Sequence, residues 1–152
     1  MTYATTAQFV ARFTEREAIA LTDRDGIGRV DEVQLGDAIA SAGAEIDAHL
    51  GKRYALPLAR EGVPLASAPL VLVGVCCDIA RYRLCGTEVQ ETDAVRNRYR
   101  DALALLKTLA AGEAVFAESP DLLPASSANA AGGAVAANER ARSFGRDTLG
   151  GY

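Results

Sequence analysis

Between Asp31 and Leu50 the apolar residues Leu35, Ile39, Ala42, Ile46 and Leu50 recur at spacings of four, three, four and four. That spacing matches the helical repeat and forms one continuous stripe, so it predicts an amphipathic helix about five turns long. Asp31 can cap its start, and Gly51 suits its end. A second stripe follows the same rule. Val95, Tyr99, Ala102, Leu103, Leu106 and Leu109 share one face of a helix from Thr92 to Ala111, with Gly112 closing it. Arg96, Arg98, Arg100, Asp101 and Lys107 supply its solvated side. Two long striped helices in a chain of 152 residues leave little room for an extensive sheet.

The rest of the body fits the same class. A first helix begins at Thr5 or Thr6 and carries Val10 and Phe13 on one face. Thr14 followed by Glu17 reads as a capping box for a short second helix ending near Leu21. Tyr54-Ala55-Leu56-Pro57-Leu58 reads as extended, because Pro57 biases Leu56 away from helix. A further helix starts near Pro69 and continues through Leu70, Val73, Cys77, Ala80 and Leu84. It is apolar on nearly all sides until Asp78, which predicts the central buried helix. Gly62 to Cys77 carries no charge, but this stretch is shorter than the ~20 residues a membrane span needs. It also contains Pro64 and Pro69 and runs into Asp78, Arg81 and Arg83. No membrane partner is expected, and Met1 to Thr6 show neither the basic nor the apolar region of an export signal.

After Gly112 the composition changes. Ser119 to Asn138 is rich in Ala, Ser, Gly and Pro, with almost no large apolar residue after Leu123. Such a stretch buries too little surface to offset its ordering entropy. Charge and bulk return in Arg140, Arg142, Phe144, Arg146, Asp147, Leu149 and Tyr152. The expected fold is therefore all-α: a body of four to five helices over residues 1–112, then a long flexible C-terminal arm over 113–152. The arm ends in a docking tail in which Phe144, Arg146, Asp147, Leu149 and Tyr152 are the candidate partner-binding residues.

Signs of chemistry are few. The turn Asp23-Arg24-Asp25-Gly26-Ile27-Gly28 resembles a calcium loop, with Asp23, Asp25 and Asp31 at ligand positions one, three and nine. Ile27 and Gln34 fill positions that need oxygen and a bidentate carboxylate, so the turn reads as a degenerate one that binds no metal. Cys76, Cys77 and Cys85 lie in an apolar stretch without zinc spacing, which predicts buried thiols in a reducing compartment. His49 is the one histidine and has no nucleophile motif near it. Asp78 within the apolar helix needs a partner. Arg81, one turn on, is the expected member of a structural ion pair, with Arg53 as another option. No cofactor is implied. A net charge of −4 does not attract nucleic acid.

Several stretches together resemble a family found in Mu-like tailed phages and prophages. They are Tyr3-Ala4-Thr5, Leu21-Thr22-Asp23-Arg24-Asp25-Gly26, Glu45-Ile46-Asp47, Arg53-Tyr54-Ala55-Leu56-Pro57-Leu58, Cys77-Asp78-Ile79-Ala80-Arg81-Tyr82, and Phe144-Gly145-Arg146-Asp147-Thr148-Leu149. The family looks like the head–tail connector, or adaptor, proteins of long-tailed phages. The resemblance implies a small helical protein forming a homo-oligomeric ring, typically of twelve copies, in the virion neck. Its partners would be the portal and a stopper or tail-completion protein, and DNA would pass through the channel without specific binding. An acidic chain suits a channel that must let DNA slide. Two other classes compete: a non-viral helical binding module or regulator that uses the tail to capture a partner, and a small hydrolase using Asp78 or His49.

Overall fold

The computed structural model describes residues 2–60, 63–86, 91–116 and 122. Among these, five helices form the body: α1 (Thr6–Phe13), α2 (Glu15–Thr22), α3 (Glu32–Leu50), α4 (Leu70–Leu84) and α5 (Asp93–Ala111). The small all-α fold expected from the two stripes is the fold observed. A hairpin of two-residue strands, β1 (Ala59–Arg60) and β2 (Val63–Pro64), interrupts it between α3 and α4. The expected docking tail, Phe144, Arg146, Asp147, Leu149 and Tyr152, lies outside the described residues, as does nearly all of the arm.

Each helix start has a local cause. The Thr5 hydroxyl accepts from the Gln8 N–H while the Gln8 side chain accepts from the Thr5 N–H, a reciprocal capping box. At Thr14 only half of the expected box forms. Its hydroxyl accepts from the Glu17 N–H, but the Glu17 carboxylate goes instead to Arg81, a full cation across the helix interface. Thr14 also has a φ of 78°, a conformation non-glycine residues rarely adopt, and this turns α1 directly into α2. Asp31 caps α3 through the N–H groups of Val33 and Gln34, and Thr92 caps α5. Gly112 ends α5 in the left-handed region at φ 81°.

The stripe Leu35, Ile39, Ala42, Ile46 and Leu50 is buried throughout. On α5, Val95, Ala102, Leu106 and Leu109 are buried, with Tyr99 and Leu103 at the edge of the core. α4 packs against each of the other helices and buries Leu72, Val75, Cys76, Cys77, Ile79, Ala80 and Leu84. Its first turn departs from the all-round burial expected: Leu70 is 70% exposed and Val71 43%. The helix enters the core only after that turn. C-terminal to Gly112 the core gains Phe116, whose ring lies 5.4 Å from that of Tyr54, and Leu122, which bridges to Arg60.

Candidate functional site

Both charges expected to pair within α4 find partners on other helices. Asp78 accepts from Arg12 at 2.9 Å, and Arg81 meets Glu17 at 2.5 Å. The expected Asp78–Arg81 pair is thus replaced by two crossed pairs that fasten the α1–α2 elbow over α4. Gly74 sits one turn before Asp78, beside the Arg12 guanidinium, where a Cβ would make ordinary contact at 3.4 Å. The Arg81 guanidinium in turn lies 4.8 Å from the Phe13 ring centre, a cation–π contact that holds it on the elbow. Asp78 Oδ1 and Arg81 Nε remain buried without a hydrogen-bond partner.

A second polar seam joins α3, α4 and α5. Arg83 donates to Ser41 Oγ at 2.6 Å and to Glu45 at 2.7 Å, while the Tyr99 hydroxyl donates to the other Glu45 oxygen at 3.0 Å. The rings of Tyr82 and Tyr99 stack at 4.2 Å. Burial, then the Glu45 hydrogen bond, raises the Tyr99 hydroxyl's pKa above its ordinary value. At the N-terminus Tyr3 is buried and donates to Asp47 on α3 at 2.5 Å. The sequence pointed to Glu17 only as a capping-box partner of Thr14 and gave no ion-pair role to Arg12, Arg83 or Glu45.

The acidic turn is held together by its own backbone. Both Asp23 carboxylate oxygens accept main-chain N–H groups, from Gly28 at 2.6 Å and Ile27 at 2.9 Å, which lowers its pKa below the ordinary value. Asp31 is engaged as the α3 cap. Asp25 is exposed, and Ile27 turns outward with 61% of its surface in solvent. No group of three or more His, Cys, Asp or Glu side chains able to hold a metal ion occurs among the described residues. Cys76 and Cys77 are fully buried. Burial pushes their thiols up to about 12 and about 11. His49 is partly exposed on α3.

What the surface does offer is α3 itself. Opposite its buried stripe, Gly36, Ala40, Ala44 and Ala48 recur every four residues. Ala40, Ala44 and Ala48 are exposed, and Val33 is 75% exposed at the same face's start. Most of this face also lines a groove whose other wall is the N-terminal segment Thr2–Thr6. No helix among the described residues is long and apolar enough to cross a membrane.

An elbow fastened by ion pairs, a polar seam and an exposed small-residue face are the main features of the described residues. The family model described as Bacteriophage Mu, Gp36 matches residues 3–134, almost the whole helical body and beyond. The chain belongs to that family. Two relatives agree with the Mu-like setting. The Mu-like prophage FluMu protein gp36 of Haemophilus influenzae is 31% identical over 119 residues, which cover 78% of each chain. Gene product J of Escherichia phage Mu is 32% identical over 114 residues, 74% of each chain. The aligned family region thus takes in both polar seams and the α3 face.

Proposed function

We propose that the chain is a structural virion protein: a head–tail connector that forms a ring, of about twelve copies as is typical of such adaptors, between the portal and a stopper or tail-completion protein. It lines the DNA channel in the virion neck and is not an enzyme. The match of residues 3–134 to the Mu Gp36 family carries this. The structure supports it with a body clamped by ion pairs across helix interfaces. It also leaves a helix face that is small and apolar where a free-standing helix would carry charge. The phage and prophage relatives favour this setting over a non-viral binding module. The C-terminal residues Phe144, Arg146, Asp147, Leu149 and Tyr152 would dock on the portal, a neighbouring copy or the next neck protein.

The test is a phage or induced prophage in which the gene for this chain is removed. Full heads and separate tails should accumulate, and the full chain supplied in trans should restore joining. A chain lacking residues 142–152 should melt like the full chain yet fail to restore it. Normal joined particles without the protein would rule the proposal out.

A further inference from the structure

The large apolar side chains exposed among the described residues gather at the two ends of α3. Ile27, 61% exposed, and Val33, 75% exposed, stand at its start. Leu56, Val63, Leu70, Val71 and Val115 stand at its other end. The Arg53 guanidinium lies against Gly112 and the Tyr54 ring against Phe116, so the chain leaving α3 meets the end of α5, beside Val115. Val63 pairs with Arg60 on that same connection. Tyr82 stacks on Tyr99 while Val75 and Leu105 line one cleft, so α4 runs antiparallel to α5. The first turn of α4, with Leu70 and Val71, therefore lies beside the end of α5. The 19 residues of α3 hold the two ends about 28 Å apart at 1.5 Å per residue. Apolar residues clustered on a surface, unlike single scattered ones, mark places of contact.

Charge decides what covers each end. Around Ile27 and Val33 the carboxylates of Asp23, Asp25, Asp31, Glu32 and Asp37 outnumber the guanidiniums of Arg24 and Arg29. Asp25, Glu32 and Asp37 are exposed and in no ion pair among the described residues. The other end is basic. Over residues 51–71 and 112–116 the described charges are Lys52, Arg53, Arg60 and Glu113. Cations prevail there even when Glu61, outside the described residues, is counted from the sequence. Two copies meeting start to start would gather carboxylates, and two meeting at the basic ends would gather cations. Only the mixed contact covers apolar surface on both sides and brings opposite charges together. We propose that the acidic end of one copy, carrying Ile27 and Val33, docks on the basic end of the next, carrying Leu56, Val63, Leu70, Val71 and Val115. The two patches differ, so the contact is heterologous, and repetition about one axis closes a ring. The inference rests on the ring proposed above and names the surfaces that build it.

The experiment uses particles whose chain carries the photo-reactive residue p-benzoylphenylalanine in place of Val33. Irradiation should join it to a second copy of the chain, and peptide mapping should place the bond within residues 52–71 or 113–116. A bond to the Ile27 region of a second copy would show like ends paired and overturn the inference. So would a bond to another neck protein, or no bond at all from a chain present in particles, while leaving the ring itself standing. Absence of the wild-type chain from particles would overturn the ring proposal as well. Charge reversal supplies a check that needs no probe, and it decides the matter if the bulky group keeps the chain out of particles. Glu32→Lys or Lys52→Glu alone should melt like wild type yet lower incorporation about tenfold, and the two combined should restore most of it. Singles incorporated at the wild-type level, or a combined variant no better than the worse single, would refute the pairing.

Discussion

The crossed ion pairs over α4 make unequal demands on their partners, and Arg12→Ala should show it. The Asp78 side chain is 14% exposed while that of Arg12 is 43% exposed. Removing Arg12 leaves a mostly buried carboxylate whose Oδ1 already lacks a partner. Breaking a fully buried pair costs about 3–5 kcal/mol, and a surface pair contributes about 0–1 kcal/mol. With one member half in water, the expected loss is about 1–2 kcal/mol, between those limits. Asp78→Asn should cost less, about 0.5 kcal/mol, because the released Arg12 can turn to solvent and a neutral amide tolerates burial better. The double variant should resemble Asp78→Asn, giving a coupling energy of about 1–2 kcal/mol in a double-mutant cycle. Urea and thermal unfolding read this directly, since about 1 kcal/mol moves the melting temperature of a body this size by roughly 4–8 °C. Equal, small losses for both single variants with zero coupling would refute the idea that Arg12 neutralises a buried charge.

Three further outcomes follow from the same geometry. Burial holds the Cys76 and Cys77 thiols at about 12 and about 11. An unfolded thiol ionises near 8.5, so folded stability should be flat below about pH 8 and fall as pH rises toward 11. Alkaline melts should show that slope, and Cys76→Ala with Cys77→Ala should flatten it. Gly112→Ala should destabilise by about 1 kcal/mol, because φ is 81°, where any side chain is strained. An unchanged urea midpoint would contradict that. Calcium should leave the melting temperature where a chelator leaves it, since both Asp23 oxygens already accept N–H groups and Ile27 offers none; a rise of several degrees would show a bound ion.

The stripes on α3 and α5 were legible because burial on one face imposes the helical repeat on the residue order. Capping at Asp31 and closure at Gly112 were legible because few residues satisfy a helix end. The partners of Asp78 and Arg81 were not. A spacing of one turn brings two side chains near each other only if no stronger partner crosses from another helix, and the α1–α2 elbow supplies two. Glu17 shows the same limit: its position is right for a capping box, yet Arg81 takes its carboxylate. The strand pair Ala59–Arg60 and Val63–Pro64 was missed because strands of two residues have no period to detect. The α3 strip was present in the sequence as Gly36, Ala40, Ala44 and Ala48. Alanine serves equally well in a core or on a surface, so only the observed exposure marks it as a surface strip.

The central claim is that this chain sits as a ring between head and tail. The most direct measurement is a cryo-electron microscopy reconstruction of the neck of particles from the phage or prophage that encodes it. The account predicts a ring beneath the portal into whose density the α1–α5 body fits. A neck fully accounted for by other chains, with this protein absent from the particle, would contradict it.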